Sequence, residues 1–216
     1  MKTMSSVFMS SLLLTLAACG GDSSSSNSPS RNQLLVTEGG TYEARLLSLN
    51  EHLAGDVHGK LQLKVTGDDM NVQVRVNGAP SGTTHFQSIH MSDSCPTLSM
   101  DANNDGIIDG REGAQAFGDI AVPLDMGNKV FPSSDAAGNY KYEQTRSVAK
   151  MMGDLKLKSG FGFQGKQVVV YGVPESVTLP DSVSGNFGLS KHAAIPIACG
   201  TIIKISDGSH HDGGKY

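Results

Sequence analysis

The stretch from Leu61 to Val76 reads LQLKVTGDDMNVQVRV, and it predicts the fold more directly than any other part of the chain. Apolar and polar residues alternate on both sides of the central Gly67-Asp68-Asp69. A period of two around a Gly/Asp turn is the pattern of an antiparallel β-hairpin with one buried face. We therefore expect this hairpin to form the centre of a β-sheet.

Further strands are predicted on both sides of the hairpin, and Gly or Pro marks nearly every junction between them. The predicted strands are Thr41–Leu49, Thr84–His90, Ile120–Leu124, Asp154–Lys158, Gln167–Val173 and Thr201–Ile205. Short helices are predicted at Gly113–Phe117 and Thr145–Met152. Several short strands separated by turn residues predict an all-β fold, an antiparallel sandwich or Greek-key barrel.

The composition agrees with this fold class. The chain has 216 residues, of which 26 are glycine, and aromatic residues make up 6%. These values favour a β-rich body over a helical bundle. The formal net charge is −4 and no basic patch is visible along the sequence, so nucleic acid is not expected as a partner.

The N-terminus has the pattern of a bacterial secretion signal. The apolar segment Val7–Ala18 follows Lys2 and is too short to span a bilayer. The segment ends in Leu-Ala-Ala immediately before Cys19, which resembles the lipobox of bacterial lipoproteins. An ordinary secretion signal followed by a chance cysteine is the alternative.

The leader divides the chain into four predicted parts. Residues 1–18 are the signal peptide, and residues 19–33 are a lipidated cysteine with a Ser-rich tether. Residues 34–206 are the β-domain, and residues 207–216 are a flexible tail that contains histidine. The lipid would anchor the protein in a membrane of the cell envelope. Gly20 follows the cysteine where an aspartate would favour the inner membrane, so we expect the outer membrane, at its periplasmic face or at the cell surface.

The remaining cysteines are expected to pair. If Cys19 is lipidated, Cys95 and Cys199 are left over. An even number of cysteines in an oxidising compartment favours a disulfide. Two separate buried thiols are the alternative.

Residues 101–112, the acidic loop, read DANNDGIIDGRE and match the twelve-residue calcium loop of EF-hand proteins. Gly106 stands at position six, where such a loop makes its sharp turn. The expected calcium ligands are Asp101, Asn103, Asp105, Ile107 through its carbonyl, Asp109 and Glu112. A turn rich in Asp and Asn that binds no metal is the alternative.

The residues around the acidic loop predict a structural ion rather than a sensor. The segment before Asp101 does not have the pattern of a long amphipathic helix, and Gly113 and Gly118 follow the loop closely. The sequence contains no second loop of this kind to pair with the first. We therefore expect calcium to stiffen an insertion in a β-domain.

Several segments together resemble the copper/zinc superoxide dismutases and their relatives, the CHRD-type domains of secreted proteins. The hairpin leads to HFQSIH at His85–His90 and then to Cys95, as a strand pair and a His-x-His strand precede the disulfide cysteine in dismutases. ACGTII at Ala198–Ile203 resembles the last dismutase strand, which holds the partner cysteine. The resemblance covers roughly Thr41–Ile205, and it implies a dismutase-like sandwich or barrel with the acidic loop inserted after Cys95.

The resemblance fails at the metal ligands. Ser88 and His90 occupy the His-x-His place, so one of its two histidines is absent, and Tyr171 stands where a late copper histidine would be. Copper redox chemistry needs several imidazoles in a defined geometry. Dismutase activity is therefore not expected. A degenerate copper or zinc site at His90 and His85 is one possibility, and a structural, hydrogen-bonded His90 is the other.

These observations give two hypotheses for function. The first is a calcium-binding, membrane-anchored lipoprotein that acts as a noncatalytic structural or binding module. The second is a dismutase-like copper- or zinc-binding protein or metal handler with a degenerate site. The tail also carries His210, His211 and Asp212, which could hold zinc, copper or nickel or be disordered.

Overall fold

The computed structural model describes residues 38–207. The predicted signal peptide, Cys19, the Ser-rich tether up to residue 33 and the histidines of the tail lie outside the described residues. The strands are β1 Gly40–Ser48, β2 His58–Thr66, β3 Asp69–Asn77, β4 Gln87–His90, β5 Ile120–Pro123, β6 Tyr140–Ser147, β7 Gln167–Tyr171, β8 Pro196–Thr201 and β9 Ile203–Asp207. The α-helices are α1 Glu51–Ala54, α2 Gly110–Phe117 and α3 Val148–Asp154.

The strands form a curled antiparallel sheet in the order β5-β4-β7-β8-β1-β2-β3-β6, with β9 also paired to β1. The sheet has two halves, β5-β4-β7-β8 and β1-β2-β3-β6, and they meet at β1. β8 pairs with the end of β1, at Leu47 and Ser48, and β9 pairs with its start. The predicted all-β, antiparallel fold class is confirmed. None of the helices within residues 38–207 is long and apolar enough to cross a membrane.

The predicted hairpin is confirmed at the centre of the sheet. β2 and β3 pair so that Leu61 faces Val74 and Leu63 faces Val72. All four side chains are fully buried, which is what the alternating pattern predicts for one face of a half-buried pair. They share one core with residues such as Ile197 of the other half of the sheet.

Two local predictions are wrong: the strand Asp154–Lys158, and the start of the helix Thr145–Met152, whose residues 145–147 belong to β6. Asp154–Lys158 is not a strand, because α3 runs to Asp154 and Lys156 has a φ of 53°, a left-handed conformation that a strand does not contain. Strand β6, in which Tyr140 and Tyr142 are buried, was not predicted from the sequence. Its alternation is visible over only two apolar residues before the strand becomes polar, and this explains the omission.

The predicted disulfide is present between Cys95 and Cys199, whose Cα atoms are 5.9 Å apart. Cys199 lies in β8, so the bond ties the segment before the acidic loop to the sheet. Phe117 of α2 packs nearby with Val169 and Tyr171 on the face of β7 and β8 that points away from the main core. The acidic loop, α2 and the disulfide therefore cover the outside of this half of the sheet.

Candidate functional site

The first half of the acidic loop is folded by its own polar side chains. Asp101 Oδ2 accepts a hydrogen bond from the Gly106 N–H at 2.8 Å, and Asn103 Oδ1 accepts one from the Asp105 N–H at 2.9 Å. Asp105 Oδ1 accepts from the Ile107 N–H at 2.9 Å. Gly106 has a φ of 83°, so the turn needs a glycine at position six. These bonds direct the side-chain oxygens towards backbone N–H groups of the loop itself.

The second half of the loop buries two carboxylates. Asp109 is 3% exposed and Glu112 is 6% exposed. Asp109 caps α2 by accepting from the Glu112 N–H at 2.9 Å, and Glu112 Oε2 accepts from the Asp109 N–H at 3.1 Å. The other oxygen of Glu112 accepts from the Ala102 N–H at 2.9 Å, which ties the two ends of the loop together. Among the ion pairs of residues 38–207, none involves Asp109 or Glu112.

The side-chain amide of Asn50 fastens the acidic loop to the sheet. Its Oδ1 accepts from the Ile108 N–H at 2.8 Å, and its Nδ2 donates to the carbonyls of Ile108 at 2.8 Å and Pro196 at 2.9 Å. Asn50 is buried and has a φ of 51°. Asn50 was not identified from the sequence, because it lies 58 positions from its partner Ile108.

A second segment, residues 182–186, covers the loop from the other side. Ser182 Oγ donates to Asp105 Oδ2 at 2.6 Å, and the Ser184 N–H donates to Asp109 Oδ2 at 2.6 Å. Every hydrogen-bond donor to these carboxylates is a neutral group. The segment thus helps to bury negative charge without balancing it.

The structure as it stands does not form a metal cage from these residues. Within residues 38–207, no three His, Cys, Asp or Glu side chains are gathered in an arrangement that could hold a metal ion. The carboxylates of the acidic loop are directed at N–H groups of the loop and its cover. The calcium ligand set of Asp101, Asn103, Asp105, Ile107, Asp109 and Glu112 therefore stays a prediction.

His90 packs among side chains on the outer face of the sheet. We call this group the His90 cluster, and it consists of His90, Ser88, Tyr171, Phe117 and Phe187. The ring Nδ1 donates to the Gly118 carbonyl at 2.9 Å, so the neutral ring accepts at Nε2. The hydroxyls of Ser88 and Tyr171 both lie 2.8 Å from Nε2. The rings of Phe117 and Phe187 pack against the imidazole.

Burial keeps the His90 cluster uncharged. His90 and Tyr171 are both fully buried. Burial lowers the pKa of His90 to about 4, and the nearby Asp119 opposes that effect only in part. Burial also raises the pKa of Tyr171 far above its ordinary value of 10. At neutral pH the cluster is therefore a set of neutral groups that satisfy one another.

His85 occupies a separate place. Its Nδ1 donates to the Tyr171 carbonyl at 3.0 Å, and its ring stacks on Tyr140 at a centroid distance of 5.4 Å. Burial lowers its pKa as well. The hydrogen bonds and ring contacts of His85 and His90 share no side chain among the described residues. A transition-metal site that uses both histidines stays a prediction.

Comparison with known proteins gives distant similarities to solved structures. No protein-family model matches the chain, and no curated protein matches it. A crystal structure of a double mutant of a SOD-like protein from Bacillus subtilis is 16% identical and covers 74% of this chain and 96% of that chain, with a TM-score of 0.39. A likeness this distant carries no argument about this chain's fold family, activity, metal or substrate.

Proposed function

We propose that this protein is a calcium-binding, membrane-anchored bacterial lipoprotein whose β-domain is a noncatalytic structural or binding module. Calcium would bind in the acidic loop and stiffen it against the outside of the sheet. Asp101, Asn103, Asp105, Asp109 and Glu112 would supply side-chain oxygens, and Ile107 would supply its carbonyl. The lipid on Cys19 would hold the module at the outer membrane.

The burial of Asp109 and Glu112 is the observation that carries the proposal. Buried charges in proteins are normally paired with an opposite charge or bound to a metal. These two carboxylates are 3% and 6% exposed and lie in a loop that contains four carboxylates and one cation, Arg111. Their described partners are backbone N–H groups. A divalent cation would supply the missing positive charge, and hard oxygen ligands favour calcium.

The contact of Asn50 with Ile108 supports a lone structural loop. Ile108 occupies loop position eight, where loops of this kind often make a short strand contact. Here the amide of Asn50 forms both bonds to the Ile108 peptide. The loop is thereby fixed to a rigid sheet, which favours a structural ion over a helix-opening sensor.

The copper- or zinc-handling alternative has weaker support. Both ring nitrogens of His90 already have partners, and the pair Ser88 and Tyr171 faces the only nitrogen of the neutral ring with a free lone pair. A transition metal there would have to displace two buried hydroxyls. We therefore assign the His90 cluster a structural role in this proposal.

The proposal is tested by calorimetric titration of the full-length chain with calcium chloride, and with magnesium chloride in parallel. We expect a calcium dissociation constant of about 10⁻⁴–10⁻³ M, the range of extracellular modules. Glu112→Gln should weaken binding by about tenfold or more, because it replaces the expected bidentate carboxylate ligand with a neutral amide. Asp93→Asn, an exposed carboxylate just before the loop, is the matched control and should bind as the natural chain does. Absence of calcium binding up to several millimolar would overturn the proposal.

The anchor is tested separately in bacterial cells that express the chain. Metabolic labelling with a radioactive fatty acid should mark the protein and place it in the membrane fraction. Cys19→Ser should lose both the label and the membrane association, while Ser26→Ala in the same tether should retain them. A label that persists in Cys19→Ser would show that the anchor is not at this residue.

A further inference from the structure

The exposed face of β1, β2, β3 and β6 carries a line of positive charge that the sequence does not reveal. Arg45 pairs with Lys60, Lys60 pairs with Arg75, and Arg75 pairs with Lys141 across neighbouring strands. All four side chains are exposed. Adjacent strands lie about 4.8 Å apart, so this basic row extends for about 14 Å at right angles to the strands. The absence of a basic patch along the sequence therefore did not exclude one on the folded surface.

The basic row places like charges opposite each other on neighbouring strands. Like charges placed directly opposite each other on neighbouring strands destabilise a sheet. The chain as a whole carries a formal net charge of −4, so a general excess of basic residues does not explain the row. Four cations in register on an acidic protein indicate a binding role for this surface.

Acidic residues border the row along one side. The neighbouring row of paired residues is Glu43, Gln62, Gln73 and Glu143. Glu43 forms an ion pair with Lys60 at 2.5 Å, and Glu143 forms one with Lys141. The hydrogen bonds from these lysines lower the pKa of both glutamates. The two lysines of the row are thus partly neutralised by their own neighbours.

Arg45 and Arg75 are left to interact with a ligand. Neither takes part in an ion pair or side-chain hydrogen bond found among residues 38–207, although Arg75 lies close enough to Glu143 to lower its pKa slightly. They stand two strands apart, at a separation of about 10 Å. Guanidinium groups bind carboxylate and sulfate oxygens through two parallel hydrogen bonds, which lysine does not do.

Two grooves run beside the basic row. One has a volume of about 660 Å³ and is lined by Arg45, Lys60, Arg75 and His58, and by Glu51 and Asp56 of the connection between β1 and β2. The other has a volume of about 420 Å³ and lies between Arg45, Lys60, Thr201 and Ile203. The positive charge therefore forms a narrow stripe with acidic residues on both sides and concave surface along it.

We propose that the basic row binds a linear anionic polysaccharide, with acid groups of successive parts of the glycan on Arg45 and Arg75. A thread-like polyanion can follow the stripe and avoid the acidic borders. A flat anionic membrane would also meet Glu43, Glu143 and Asp56. The amide nitrogens of Gln62 and Gln73 lie beside the row and donate to Glu43 and Glu143, so each has one remaining N–H to offer a sugar hydroxyl.

Nucleic acid fits this surface less well. Proteins that bind single strands combine a basic groove with aromatic side chains on which bases stack. The basic row and its neighbouring row contain Arg, Lys, Glu and Gln, and no aromatic residue. The surface offers charge and hydrogen bonds, which are what a glycan rich in acid groups requires.

The test is binding of the full-length chain to polygalacturonate and to heparin, measured by biolayer interferometry at low and at physiological salt. We expect binding to at least one of them, weakened by salt because the contacts are exposed charges. The double variant Arg45→Gln/Arg75→Gln should lose about tenfold or more in affinity. The control Lys129→Gln/Lys158→Gln removes the same charge from exposed positions in other parts of the surface and should bind as the natural chain does.

Three further outcomes decide the proposal. The arginine variant should melt no lower than the natural chain, because removal of opposed like charges relieves repulsion. A large loss of stability would show that the two arginines have a structural role and would overturn the proposal. An equal loss of affinity in the lysine control would show that binding depends only on net charge, and this would also overturn the proposal. If an oligodeoxythymidine bound as tightly as both glycans, the result would identify nucleic acid as the ligand of the basic row and would overturn the polysaccharide proposal.

Discussion

The acidic loop and the His90 cluster both bury ionisable side chains on the outside of the same half of the sheet, but they satisfy them in different ways. His90 is neutral, and both of its ring nitrogens have neutral partners. Asp109 and Glu112 have hydrogen bonds as well, but their described partners carry no positive charge. The comparison teaches that hydrogen bonds leave a buried imidazole neutral and satisfied, whereas the same kind of bonds leave the negative charge of two buried carboxylates without an opposite charge, and our proposal assigns that charge to calcium.

The largest expected effect comes from separating the acidic loop from the sheet. Asn50→Ala removes three hydrogen bonds and leaves backbone groups of Ile108 and Pro196 without these partners. Each such buried group costs about 1–3 kcal/mol, so we expect the free energy of unfolding to fall by about 4 kcal/mol. Chemical denaturation monitored by circular dichroism measures the change.

Asn128→Ala is the matched control for this prediction. Asn128 has a φ of 52°, nearly that of Asn50, but its side chain is exposed. It therefore reports the cost of a left-handed backbone without the anchoring bonds. Equal losses in the two variants would mean that Asn50 contributes conformation only and does not hold the loop.

The second prediction concerns the pH dependence of the His90 cluster. The pKa of His90 is lowered by burial to about 4, while the unfolded chain takes up this proton near 6.5. The unfolded state therefore binds more protons between these values, and stability falls as the pH drops from 6.5 to 4. The expected loss from this group is about 3 kcal/mol. His85 adds to it in the same direction, because burial lowers its pKa too.

Urea denaturation of His90→Gln across this pH range isolates the contribution. The variant should lose the contribution of His90, about 3 kcal/mol between pH 6.5 and 4, and keep that of His85. His52→Gln, at an exposed position, should keep the full dependence. A slope that is the same in His90→Gln and in the natural chain would mean that the imidazole is not held neutral by burial.

The third prediction tests whether the His90 cluster is complete by itself. Ser88→Ala or Tyr171→Phe alone removes one hydroxyl near Nε2, and the other can still donate to it. The double variant leaves this buried acceptor without either donor, at a cost of about 2 kcal/mol beyond the sum of the single changes. A double-mutant cycle of unfolding free energies measures this coupling, and strictly additive changes would argue against the shared bond.

Much of the fold could be predicted because its signals are local. The alternation from Leu61 to Val76 fixes which side chains face the core, and the two spare cysteines do form the disulfide. The acidic loop was recognised from spacing alone, and its turn at Gly106 has the expected conformation. In each case the residues that decide the structure are close in sequence or of a rare type.

The remaining features depend on contacts between distant segments. Asn50 joins Ile108 across 58 positions, and Ser184 reaches Asp109 across 75. The basic row needs the register of four strands before Arg45 and Lys141 come into one line. A single sequence contains no local pattern for such pairs, because sheet register and loop packing bring them together.

Thermal unfolding of the full-length chain, with calcium and with a chelator, tests the central claim most directly. At a calcium concentration ten times the dissociation constant, the folded state should gain about 1.4 kcal/mol. The melting temperature should therefore rise by a few degrees. With a site about tenfold weaker, Glu112→Gln should gain only about 0.4 kcal/mol at the same calcium concentration and show a much smaller rise. Asp93→Asn should rise as the natural chain does. Identical melting curves with calcium and with chelator, or an equal rise in Glu112→Gln, would contradict the claim that calcium completes the acidic loop.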